Sequence, residues 1–216
     1  MKGLLIYSGG MDSTTLLYNY KDNISLAISF NYGSKHNQKE LLYAKWHTKQ
    51  LGIPHFIIKL NFFKKFHSSL LKGGVEIPEG HYCDESMKST VIPFRNGIML
   101  AIAIGIAEDR KIDYVYIANH TGDHTIYPDC RPEFIKYMGL AGQKGTYHNI
   151  KVFSPYINKN KREIALIGKT LGIDYSKTWS CYKGLKYHCG KCGTCVERKE
   201  ALKGFDRTIY KKGGKK

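Results

Sequence analysis

"GLLIYSGGMDSTTLLYN", residues 3–19, is an apolar run that breaks into two glycines and then into Asp12 and Ser13. The run "GLLIY" (3–7) has no polar alternation, as a strand covered on both faces requires, and residues 13–20 have helical spacing. A strand that turns through Gly9-Gly10 into a helix gathers free backbone N–H groups and the positive end of a helix dipole at one point. That is a seat for an oxyanion. Yet the stretch lacks the lysine of a G-x-x-x-x-G-K-S/T loop and the third glycine of a dinucleotide-binding turn. Ser8 and Ser13 offer hydroxyls instead, and Asp12 can cap the helix or hold a divalent cation.

Outward from this turn, strand and helix patterns alternate. "ISLAISF" (24–30), "HFIIKL" (55–60), "DYVYIAN" (113–119) and "IKVFSPY" (150–156) read as further strands. Residues 38–51 read as an amphipathic helix carrying Leu41, Leu42, Ala44 and Trp46, 96–111 as a long buried helix, and 161–172 as a helix stopped by Gly172. Such alternation predicts an α/β fold with a doubly wound, mostly parallel, five-stranded sheet, whose ligands collect at the carboxyl ends of the strands. The loops there are "SGGMDS", "NYGSKHNQ" and "NHTGDHTIYPDCRP". Residues 73–92 have no period and read as an insertion or lid.

The 216 residues suit one full α/β domain with a small appendage. Hydrophobic residues, 42% and evenly spread, argue a folded globule rather than a disordered chain. The net charge of +16 favours anionic partners, but no basic stripe interleaved with aromatics stands out, and solubility explains it equally well. The apolar stretch after Lys2 is too short for a signal peptide and no run approaches the ~20 residues of a membrane span, so a cytoplasmic protein without membrane contact is expected.

Six cysteines in a reducing compartment should not pair as disulfides. Four of them, Cys181, Cys189, Cys192 and Cys195, crowd into "SCYKGLKYHCGKCGTC" with two x2 spacings. Four thiolates on a turn of small residues close a tetrahedral site, for which Zn²⁺ is the usual occupant and an iron–sulfur cluster the other candidate. With no open position, such a zinc site is structural. His188 is expected to be a neighbour rather than a ligand, and Cys83 and Cys130 to be packing residues.

The hexapeptide Ser8-Gly9-Gly10-Met11-Asp12-Ser13 resembles the pyrophosphate loop, S-G-G-x-D-S, of the ATP pyrophosphatase (PP-loop) family, whose fold is adenine nucleotide alpha-hydrolase-like. Three more stretches, "YPDCRPEF" (127–134), "LGIDYSKTWSCY" (171–182) and "HCGKCGTCVERKEA" (188–201), are similar to the 7-cyano-7-deazaguanine synthases, with the likeness running from residue 3 to about 206. The resemblance implies an ATP-dependent ligase that takes 7-carboxy-7-deazaguanine and ammonia through an adenylated carboxylate and an amide to the nitrile. It further implies Mg²⁺ with the ATP, one structural zinc per chain, a homodimer, and no obligatory nucleic acid. Residues 1–175 would be the ATP-binding domain and 176–216 a zinc-binding segment packed on it.

By the same resemblance Ser8, Gly9, Gly10, Met11, Asp12, Ser13 and Asn96 would bind ATP, and Asp12, Ser13 and Arg95 would act in catalysis. Asp123, Asp129 and Arg131 would bind the deazaguanine or its carboxylate, since carboxylates pair with purine N–H groups and arginine with oxyanions. Bland roles compete with these: a helix cap for Asp129, a surface ion pair for Arg131, a solvated helix start for Arg95. Asn31 in "NYGSKH" stands where the family more often has aspartate, and "GDHTIYPD" departs from its commoner pattern, which leaves His36, Glu40 and His124 without assigned roles. Two rivals remain on sequence alone. A tRNA-modifying PP-loop enzyme, a thiolase or lysidine-type ligase, would need Cys83 and Cys130 as its sulfur pair or none, and a zinc-stapled RNA-binding module leaves the glycine loop unexplained.

Overall fold

Side chains alternate along each strand and sort the helices into two layers. The computed structural model describes residues 2–81 and 85–211. Within them β1 (Gly3–Ile6), β2 (Ile24–Asn31), β3 (His55–Lys59), β4 (Tyr114–Tyr116) and β5 (Lys151–Phe153) form one parallel sheet in the order β3-β2-β1-β4-β5. On one face Leu4, Ile28, Phe30 and Val115 pack with Leu100 and Ala103 of α3 (Arg95–Asp109) and Ile135 of α4 (Pro132–Gly145). On the other, Leu5, Tyr7, Ala27 and Tyr116 meet Leu16 and Leu17 of α1 (Met11–Asn19), Ala44 of α2 (Asn37–Leu51) and Ile164 of α5 (Lys161–Thr170). Each fully buried leucine contributes about 2 kcal/mol by leaving water. Strand order reverses between β1 and β4, so a crevice opens there at the carboxyl end of the sheet.

The expected doubly wound sheet is present, with shorter ends. β4 stops at Tyr116 although the apolar run continues: Ile117 still donates to the Phe153 carbonyl (3.1 Å), while Ala118 and Asn119 leave the ladder to line the crevice. The helix at 37–51 exists, but its inward face is not the expected one. Leu42 and Trp46 are 59% and 41% exposed, and Asn37, Ala44, His47 and Thr48 are buried instead. The main chain of α2 at Glu40 and Ala44 packs closely on Gly9, which leaves Ala44 fully buried, and His47 is held inward by Tyr18 (3.0 Å) and the Lys177 carbonyl (2.9 Å).

Residues 73–92 do not form an open lid where they are described. Ile77, Met87 and Ile92 are buried, Lys35 donates to the carbonyls of Gly74 (3.0 Å) and Val75 (2.7 Å), and the insertion buttresses the core. Cys83 lies outside the described residues. Met87–Asp109, which contains α3, is long and apolar enough to cross a membrane by length and composition, with a mean hydropathy of 1.6, a test that the core helix of a soluble protein also meets. Half of that window is buried, and α3 packs on β1 and β4 as the central helix of its layer.

After α5 the chain crosses back over the loop that follows β1. The Trp179 N–H donates to the Gly9 carbonyl (3.1 Å), and α6 (Gly193–Ala201) begins at the cysteine cluster with Cys192 as its N-cap. The last segment thereby joins the crevice wall.

Candidate active site at the carboxyl ends of the strands

The loop after β1 is held without using its helix donors. Ser8 Oγ accepts from the Gly10 N–H (3.0 Å) and shares a hydrogen bond with Ser13 Oγ (2.9 Å), and Gly10, the extended N-cap of α1, offers no side-chain cap. The first-turn N–H groups of α1 therefore face the crevice with the dipole behind them. Gly9 sits at φ +88°, where a Cβ would collide with the Glu40 carbonyl and lie 2.9 Å from the Ala44 nitrogen. Both the conformation and the contact demand glycine. Gly9→Ala is expected to destabilise the fold by about 2–4 kcal/mol, read as a drop in melting temperature. An unchanged melt would mean that α2 is not seated on the loop.

The crevice, about 1150 Å³ with its open mouth, has two chemically distinct ends. Around α1 lies a knot of charges. Asp12 Oδ2 is 3.4 Å from Lys161 Nζ and 3.7 Å from His120 Nε2; Lys161 also reaches Glu197 (2.6 Å), and His120 reaches Asp123 (3.5 Å). Burial opposes the charge on Lys161, but Asp12, Glu197 and Asp123 outweigh it and raise its pKa. Asp12 Oδ1 and Asn119 Oδ1 are buried with no hydrogen-bond partner. An unanswered carboxylate oxygen on the crevice lining fits a divalent cation.

At the other end Arg95, the first residue of α3, donates to the Tyr32 hydroxyl (3.3 Å) and lies over that ring. Burial works against its charge, but Tyr32, Tyr182 and Asp129 raise its pKa, so it stays a guanidinium. Near it His36 Nε2 stands 3.6 Å from Glu40 Oε2, and the His36 ring leans on Tyr182 (5.2 Å). Burial and the Arg95 charge push the His36 imidazole down to about 3; burial pushes the Glu40 carboxyl up to about 8 despite Arg95. Both are largely uncharged at neutral pH.

Of the residues singled out in the sequence, Ser8, Gly10, Met11, Asp12, Ser13, Arg95, Asn96 and Asp123 line this crevice. Gly9 backs the loop. Asp129 and Arg131 do not reach the lining: Asp129 accepts from the Asn96 N–H (2.7 Å) and caps α3, not the helix after Pro132, and exposed Arg131 donates to the His124 carbonyl (3.0 Å). Cys130 does face the crevice, with its thiol held by Asn96 (3.1 Å) and its pKa raised by burial. Sequence reading missed Lys161, Glu197, His120 and Asn119. One signal was present: Asn160 and Glu163 form a capping box, which fixes Lys161 at the first position of a helix whose start faces the ligand end of the sheet.

The four sulfur atoms of Cys181, Cys189, Cys192 and Cys195 lie within 4.8 Å of one another and are all buried. Backbone N–H groups of Lys191 (3.4 Å) and Cys192 (3.3 Å) point at Cys189 Sγ, as thiolate ligation requires. His188 is not among them; its Nε2 accepts from the Ser180 N–H (3.2 Å), consistent with burial lowering its pKa to about 3. From α6, buried Arg198 donates to Thr178 (3.0 Å), Ser180 (2.9 Å) and the Tyr175 carbonyl, fixing the strip that carries Trp179 onto Gly9. Ser180, Tyr182 and Thr194, next to the cysteines, line the crevice itself.

A family model described as "Queuosine biosynthesis protein QueC" matches residues 2–206. The chain belongs to the QueC family. Among QueC relatives, the 7-cyano-7-deazaguanine synthase of Porphyromonas gingivalis is 58% identical over 200 residues, 92% of this chain and 91% of that protein. The synthase of Desulfotalea psychrophila is 50% identical over 213 residues, 96% and 97% of the two chains. A solved tRNA thiolase, NcsA of Methanococcus maripaludis, shares the QueC fold with a TM-score of 0.53 at 18% identity, covering 93% of this chain and 63% of that one. At that identity the likeness is one of fold, and the thiolase reading gains nothing from it.

Proposed function

We propose that the chain makes 7-cyano-7-deazaguanine from 7-carboxy-7-deazaguanine, ammonia and ATP. One observation carries this beyond the family match: the lysine-free S-G-G-M-D-S turn delivers the bare N-terminus of α1 into the same crevice as the Asp12–Lys161 knot. Backbone donors and a cation from another helix suit a departing pyrophosphate, and pyrophosphate departs when a substrate oxygen attacks the α-phosphorus.

In this reading Ser8, Ser13 and the α1 N–H groups take the β and γ phosphates, and Lys161 stands in for the lysine the loop lacks. Mg²⁺, when bound with ATP, would neutralise phosphate charge, and Asp12 Oδ1 is the oxygen free to hold it. Tyr32, Tyr127, Tyr182 and Arg95 shape the far end for a flat, anionic heterocycle, with Arg95 facing its carboxylate. Of the three residues the resemblance gives to the substrate, Asp123 alone lines the crevice, and it does so beside His120 at the phosphate end; Asp129 would act through its cap on α3. The substrate carboxylate is adenylated, ammonia displaces AMP to give the amide, and a second activation dehydrates the amide. The cysteine cluster takes zinc as a closed, structural site. A cytoplasmic homodimer with no obligatory nucleic acid partner completes the reading, as the family resemblance implies.

Incubation of the metal-loaded protein with 7-carboxy-7-deazaguanine, Mg·ATP and ammonium should yield masses of the amide and then the nitrile. Absence of both would overturn the assignment, and ATP consumption on tRNA in its place would promote the tRNA-modifying rival.

A further inference from the structure

We propose that Glu40, oriented by His36, is the base that removes the amide-nitrogen proton when the amide becomes the nitrile. The inference rests on the proposed function and adds to it the group that carries the last proton transfer.

The chemistry demands such a group. When the amide oxygen attacks the α-phosphorus of ATP, pyrophosphate leaves and the product is an O-adenylated amide with two N–H protons and a positive nitrogen. One proton is lost readily, giving a neutral imidate. The second leaves as the C–O bond breaks: the N–H electron pair becomes the third C–N bond, the C–O pair departs with AMP, and the proton needs an acceptor at the nitrogen.

Few described crevice residues qualify. Asp12, His120 and Asp123 belong to the phosphate end, gathered with Lys161. The Cys130 thiol is held by Asn96, and burial keeps it protonated. The tyrosine at 32 faces Arg95, and burial raises its pKa. Glu40 differs on three counts. Its main-chain carbonyl packs on Gly9, so the first turn of α2 is fixed relative to the loop that holds the nucleotide, while its side chain lines the crevice. Its side chain is 15% exposed and its carboxyl faces Arg95, Tyr32 and His36, so the group is shielded from water while the side chain still lines the crevice. Finally, a carboxyl that ionises near about 8 is far more basic than an ordinary glutamate and matched to work near neutrality.

His36 is a positioning residue. Burial and Arg95 keep its imidazole neutral against the opposing effect of the Tyr182 main chain, and its Nδ1 has no hydrogen bond of normal geometry. A neutral ring 3.6 Å from Glu40 can orient the carboxyl without locking it in an ion pair.

The test separates the two half-reactions. Wild type and Glu40→Gln, an isosteric change, are given 7-carboxy-7-deazaguanine with ammonium and Mg·ATP, and separately the 7-carboxamide with Mg·ATP. In Glu40→Gln, amide formation is expected to stay within about threefold and amide-to-nitrile conversion to fall by about 10²-fold or more, so amide accumulates. The wild-type nitrile step should rise with pH toward about 8, as the carboxyl ionises, and that rise should vanish in the variant. His36→Asn should shift the pH at which the step turns on while sparing amide formation. A nitrile step near wild-type rate in Glu40→Gln, or both half-reactions falling together, overturns the inference while the proposed function stands. Wild type that forms neither product overturns both.

Discussion

Asp12→Asn is expected to lower turnover by about 10³-fold while the melting temperature stays close to that of the wild type. The substitution keeps shape and removes one charge. That charge sits 3.4 Å from Lys161 and 3.7 Å from His120, and its second oxygen is buried without a partner. Without it the pull of Glu197 on the lysine is no longer balanced from the loop side, and a cation brought with ATP would find no carboxylate oxygen there. Stability has little to lose, because a carboxylate in the first turn of a helix contributes only about 0.3–1 kcal/mol through the dipole. Glu197→Gln serves as the comparison, since it touches Lys161 but not the loop and should cost less. A variant of Asp12 that melts early yet turns over normally would move the residue from chemistry to scaffolding.

Removing the metal, or changing Cys192 to serine, should have the largest effect on stability. Zinc sites of four sulfurs contribute on the order of 10 kcal/mol to small modules. Here the four thiols are buried together, and without a cation to hold them the knuckle has little reason to close. Its loss would free Arg198, the strip from Tyr175 to Ser180, and Trp179 on Gly9. Chelation is therefore expected to release one zinc per chain, measured by metal analysis, to lower the melting temperature sharply, and to weaken ATP binding together with it. Cys130→Ser, outside the cluster, should retain the metal. A Cys192→Ser protein with an unchanged melt would overturn the structural role of the site.

What was legible in the sequence was local. The strand, turn and helix of residues 3–19 lie in one stretch whose hydrophobicity and glycines follow directly from backbone needs, and the cysteine spacing is a ligand spacing whatever surrounds it. What escaped depends on pairing distant segments. Lys161 and Glu197 sit on helices far along the chain, and only the strand order, which no single stretch encodes, places them over Asp12. The α2 pattern misled because leucine and tryptophan usually mark the inward face, whereas close packing on Gly9 reserved that face for Ala44 and two polar residues with partners of their own. Asp129 and Arg131, which the family resemblance gives as substrate ligands, stand off the crevice lining, Asp129 in a cap on α3 and Arg131 on the His124 carbonyl, and no single stretch of sequence encodes such neighbours.

The hydrogen bond from Trp179 to Gly9 joins a residue from the last fifth of the chain to one of the first ten. During synthesis the loop after β1 emerges well before its clasp, with the rest of the sheet lying between them in the chain. A nascent or truncated chain thus carries the loop without its closing wall. The crevice gains that wall only once the final segment is folded, so the order of translation withholds a complete site from an unfinished chain.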